Sequence, residues 1–361
     1  MLHHSMQWLA VGLAVAMVGC QRAAEPEHVL SKDTLALDAK LQVQVRENLT
    51  KFTGTPNRPK PLGKEVLDPV AVERGAKVYE ARCAACHGSA GDGNGPQAAA
   101  MYPRPRDYRR GIFKFTATPY GAKPLRSDLV RTIKNGARGT SMPAFNLLPE
   151  EDLQAVVDHV ISLTHRGEIE TLVMLEAQDE DAIDPTHVPG FIDEVLAKWK
   201  GAGAREVLPV SREIPFSMES VERGKKAFLS EVAGCYKCHG NDGRGQTMAN
   251  QQEFKDIWGF QTRAADLSSG MLHGGNRPLD IYRRIYSGIN GTPMPAFNDK
   301  LANEPELFWN LVHYVQYISG ARRRATLALQ AEFNPPAPIA APVAPAPPAG
   351  EPDKKGAGHG E

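Results

Sequence analysis

Four of the five cysteines fall into two short runs of one kind, Cys83-Ala84-Ala85-Cys86-His87 and Cys235-Tyr236-Lys237-Cys238-His239. Two thiols three positions apart, with an imidazole directly behind them, fit within about one helical turn. That spacing suits covalent attachment of a haem, with thioethers to its two vinyl groups and the histidine reaching the iron from the same face. Cys83, Cys86 and His87 are therefore expected to hold one haem c, and Cys235, Cys238 and His239 a second. Zinc would require four ligands at each site, and a redox-active dithiol would need neither the adjacent histidine nor a duplicate.

A ligand for the opposite face of each iron comes from a second shared spacing. Met142 and Met294 each stand 55 residues after their histidine, and each is followed by proline. A thioether is soft and neutral, so it favours ferrous iron and raises the reduction potential relative to a second imidazole. Pro143 and Pro295 stiffen these loops, while Gly139 and Gly291 let the backbone approach a flat ring. The metal ligands are then His87 with Met142 and His239 with Met294. His159, His165, His273 and His313 have no metal-site spacing, and core or surface roles suit them better.

The elements that must position these groups are duplicated with them. Asp128 to Phe145 and Asp280 to Phe297 share a register at an offset of 152 residues. A looser echo, Arg106-Asp107-Tyr108 against Ala265-Asp266-Leu267, lies at an offset of 159, so an insertion separates the blocks. Each unit opens alike, with Glu73-Arg74-Gly75 and Glu222-Arg223-Gly224 on short helices. Each also closes on a helix with a buried face, at Leu153, Val156, Val157 and Val160 and at Leu311, Val312, Val315 and Ile318.

Both units resemble class I cytochrome c domains, in which an N-terminal helix, the Cys-x-x-Cys-His turn, a methionine loop and a crossing C-terminal helix follow one another. The resemblance implies a mainly α fold of two tandem small helical bundles, each around one haem. It also implies that a glycine and an aromatic of the first helix meet an aromatic of the last. Gly75 with Tyr79, and Gly224 with Phe228, fit the first part and Tyr314 the second, whereas His159 replaces the aromatic in the first unit and predicts a different packing there. The family's loop proline, whose carbonyl holds the haem histidine, has a counterpart in Pro96 but only Gln246 in the second unit. Around Pro103 to Phe115 the chain is also similar to diheme lipoprotein cytochromes of bacterial respiratory chains. Arg106, Arg131 and Arg283 could pair with haem propionates, because a guanidinium offers a fixed fork to a carboxylate.

The 361 residues and 42% hydrophobic content allow two domains with flanking segments, and equal numbers of acidic and basic residues give no reason to expect nucleic acid. Residues 1–19 read as a signal peptide, and Met-Val-Gly-Cys resembles a lipobox with lipid attached at Cys20, which would tether the mature protein to a membrane outside the cytoplasm. Residues 20–67 form a spacer with one helix along Leu37, Leu41, Val45 and Leu49, expected to pack on the first domain. The domains span 68–165 and 217–321, joined by a linker at 166–216 with an acidic run and a helix at Phe191 to Trp199. From 322 to 361 the chain ends in a Pro/Ala-rich tail expected to be disordered. With both irons closed by His and Met, transfer of single electrons between periplasmic respiratory redox partners is the expected role, alone or within a larger membrane complex, with no catalytic residues. A diheme enzyme such as a peroxidase or thiosulfate dehydrogenase is the alternative. The first needs an open iron, and the second typically uses a cysteine ligand that the folded units lack.

Overall fold

The computed structural model describes residues 28–56, 58–63, 67–247 and 254–320. The signal peptide, Cys20 and the Pro/Ala-rich tail lie outside them. The described chain is mainly helical, with a single two-residue strand pair, β1 at Gly54–Thr55 against β2 at Arg58–Pro59. No helix among the described residues is long and apolar enough to cross a membrane.

The first unit begins with α3, Pro69–Arg82, capped by the Asp68 carboxylate on the Val70 amide, with proline where no donor is needed. The haem motif forms the next turn, α4 at Ala84–His87. Helices α5, Arg126–Asn135, and α6, Glu150–Glu180, complete the unit. Val72 and Tyr79 of α3 close on Val156, Val157 and Val160 of α6 in one apolar core. The second unit repeats this with α8 at Met218–Phe228, α9 at Tyr236–His239, α10 at Pro278–Ser287 and α11 at Leu307–Ser319. Val221, Phe228, Tyr282, Trp309 and Val312 fill its core.

The crossing of first and last helix is set by one glycine in each unit. A Cβ on Gly75 would lie 2.0 Å from the Ala155 carbonyl oxygen, and one on Gly224 would lie 1.9 Å from that of Asn310. Only glycine permits such an approach of two backbones. The different packing expected at His159 is not found. Its ring centre lies 5.1 Å from Tyr79 at 56°, and Tyr314 lies 5.1 Å from Phe228 at 62°. An imidazole kept neutral by burial, which pushes the His159 pKa down to about 4, is flat and apolar enough to act as the missing aromatic.

The boundary drawn at residue 165 falls inside a helix. α6 continues to Glu180, and its second half carries Ile169 and Val173 into a further core with Leu30, Val45, Leu49, Val188 and Val195. Val45 and Leu49 come from the spacer helix α2, Ala39–Thr53, Val188 and Val195 from the linker helix α7, Val188–Lys200, and Leu30 from the segment before the first helix. Apolar spacing of three and four persists past residue 165, so nothing stops the helix there. A four-residue turn, α1 at Lys32–Leu35, precedes α2; the amide of its N-cap Ser31 and the hydroxyl of Thr34 within it both donate to Glu170 on α6.

Candidate haem-binding sites

Each haem motif is a helical turn that puts its two thiols and imidazole on adjacent positions. All four cysteines are free and partly buried. Burial pushes the Cys83 and Cys235 thiols up to about 11, opposite to the shift that a nucleophilic dithiol requires. Among the described residues, no group of three or more His, Cys, Asp or Glu is arranged to hold a metal ion.

The imidazoles are oriented by main-chain carbonyls. His87 Nδ1 lies 3.1 Å from the Arg106 oxygen and His239 Nδ1 3.0 Å from the Ala265 oxygen. Pro96 does not do this, and its absence from the second unit therefore leaves no gap. A carbonyl only accepts, so Nδ1 carries the proton and Nε2 is the nitrogen that faces a metal. Burial lowers the pKa of both rings, which favours the neutral, ligating form. A backbone carbonyl has no side-chain signature, so the sequence does not single out these acceptors. Their signal was the loose echo at offset 159, which aligns Arg106 with Ala265.

The loop after each histidine is tied down identically. Gly93 donates to the His87 oxygen at 2.8 Å and Gly245 to the His239 oxygen at 2.7 Å. Tyr108 then donates to Gly91 at 2.8 Å, and Leu267 to Gly243 at 2.7 Å. Both Met loops also share one geometry. Ala137 and Ile289 donate to the Met142 and Met294 oxygens, each at 3.2 Å, while the Thr140 and Thr292 hydroxyls accept from the two methionine amides.

Thiols, an imidazole with its tautomer fixed and a braced methionine loop thus recur in both units. The family profile for subunit III of cbb3-type cytochrome c oxidase matches residues 70–160, and the profile for cytochrome c matches residues 221–319. The chain is a diheme c-type cytochrome. Two cytochrome c domains imply two covalently bound haems, and the residues that fit them, and would hold them, are Cys83, Cys86 and His87 in one unit and Cys235, Cys238 and His239 in the other. No curated protein sequence matches the cytochrome. Among solved structures it is similar to a chain of the reducing HAO-like protein complex of Kuenenia stuttgartiensis, with 31% identity and a TM-score of 0.54, covering 72% of this chain and 99% of that one.

The two sites differ around their histidines. Tyr108 stacks on His87 at 4.9 Å and 21°. Leu267 occupies its place in the second unit, where the ring nearest His239 is Phe228, tilted at 49° with its centre 6.3 Å away. Of the three arginines singled out for propionates, Arg131 donates to Asp128 and to the Phe115 carbonyl. Arg283 is buried, bonded to Glu206 and the Val207 carbonyl. Arg106 points toward the second unit, with its guanidinium carbon 3.7 Å from the centre of the Trp258 ring. Arg284, not singled out, also reaches across, to the Thr116 carbonyl.

Proposed function

We propose that this cytochrome is an extracytoplasmic carrier of single electrons, anchored by lipid at Cys20, with both irons held by His and Met. The carrying observation is that the two methionine loops have the same backbone bonding and stand at the same spacing of 55 residues from their histidines. When bound, each haem supplies a one-electron iron couple. The chain contributes two thioether tethers, an imidazole pinned through Nδ1, and a thioether from Met142 or Met294. With a histidine and a methionine both holding the iron, small molecules would find no coordination site, which favours a relay over a peroxidase. An optical redox titration tests this. The expected result is two haems per chain, a sulfur-to-iron band near the red edge for each, and no carbon monoxide binding by the reduced protein.

A second reading makes the cytochrome the electron-entry subunit of a larger oxidoreductase. It draws on the likeness to a chain of an HAO-like protein complex, nearly all of whose length is covered. Purification from native membranes under mild detergent separates the two, since a subunit brings its catalytic partner with it and a free relay elutes alone.

A further inference from the structure

The internal repeat breaks in two places, and the breaks compensate. Nineteen residues separate His87 from Arg106, but twenty-six separate His239 from Ala265. Twenty-one then separate Asp107 from Asp128, but only fourteen separate Asp266 from Asp280. Each unit therefore carries seven residues that its counterpart lacks, in a different loop.

The two enlarged loops meet. In the second unit, the Asp256 amide donates to Phe260 and the Gly259 amide to Asp256, and a bridge between Lys255 and Gln261 closes this turn. It presents Trp258 to Arg106 and its Ile257 carbonyl to the Arg110 guanidinium at 2.6 Å. Lys114 of the first unit lies 3.5 Å from Asp256. Trp258 also rests on the methionine loop of its own unit. A Cβ on Gly291 would come within 2.6 Å of the ring, and Ile257 donates to the Gly291 oxygen at 3.1 Å.

These contacts join the two ligand frames through two side chains. The Arg106 carbonyl accepts the His87 Nδ1 proton, the Arg106 guanidinium lies over Trp258, and Trp258 packs against Gly291, three residues before Met294. The hydrogen bond on the distal nitrogen of a ligating imidazole sets its donor strength, and so the potential of its metal. We propose that Arg106 and Trp258 are positioning residues that couple the two redox centres, so that displacement of the Met294 loop alters the hydrogen bond on His87 and the potential of the first centre. The inference rests on the His/Met ligation proposed above.

The test uses the full holoprotein with Trp258→Leu, Trp258→Phe and Arg106→Leu. Redox titration gives the potential of each centre, and the paramagnetically shifted methyl signal of each axial methionine assigns it. Trp258→Leu is expected to change the electron equilibrium between the centres by about fivefold, the scale of one partly buried cation–π contact. The first centre moves although Trp258 belongs to the second unit, and Trp258→Phe restores most of the change. Arg106→Leu reproduces the effect from the other side, and the double variant adds nothing to either. If both methionine signals persist and neither Trp258→Leu nor Arg106→Leu moves the potential of the opposite centre, the coupling is overturned. If the unaltered protein lacks a methionine signal, the ligation reading fails first.

Discussion

The two haem units are alike where they touch the haem motif and different where they touch the rest of the molecule. The histidine carbonyl, the glycine-to-histidine loop bond and the methionine loop agree in kind and in distance, with differences of about 0.2 Å or less. By contrast, the last helix runs for 31 residues in the first unit and 13 in the second. The ring stacked on the haem histidine is present only in the first. Duplication has preserved the frame that sets the chemistry and released the surfaces that set neighbours.

The sharpest way to break this comparison is at the helix crossings. Gly75→Ala and Gly224→Ala each force a Cβ into a backbone carbonyl that cannot move aside, and should cost more than about 4 kcal/mol. Each variant is expected to lose folding of its own unit, leaving one haem per chain by haemochrome assay. Loss of both haems from either variant would show that the units are not separable.

Acid should distinguish the units next. Burial lowers the pKa of His28 and His159 to about 4 and of His165 to about 3. A folded pKa below the unfolded value of about 6.5 means that the unfolded chain takes up protons that the native chain refuses, so stability is full above pH 6.5 and drains as pH falls toward 4. Each of His28 and His159 is expected to remove about 3 kcal/mol over that window. The spacer and first unit should therefore unfold before the second on acidification, followed by tyrosine and tryptophan signals and by haem absorbance. His159→Tyr should raise the acid stability of the first unit.

Smaller effects would sharpen the contrast. Tyr108→Leu copies the second site into the first, removing the ring stacked on His87. The potentials of the two centres should move closer, without loss of haem. At neutral pH His159→Tyr should change stability by no more than about 1 kcal/mol, because it reproduces the Phe228–Tyr314 contact. A thermal melt checks it.

The paired Cys-x-x-Cys-His turns and both methionine loops are legible in the sequence, because the functions expected of them demand particular side chains at particular spacings. The carbonyls of Arg106 and Ala265 were hidden, since any residue supplies a carbonyl and only the fold brings it to a ring. The length of α6 was hidden for another reason. The acidic run near its end read as linker, although Ile169 and Val173 continued the buried face. The meeting of the two loops showed only as compensating gaps in the repeat, which become informative once their places in space are known.

The long helix at Glu150–Glu180 also determines how the molecule comes apart. One half lies in the core of the first unit and the other half holds the N-terminal spacer and the linker helix. A rigid rod shared by two cores cannot release one without fraying the other, so these segments behave as a single cooperative foldon. Slow amide exchange should rise and fall together from Val45 through Val195, while α8 and α11 exchange on a schedule of their own.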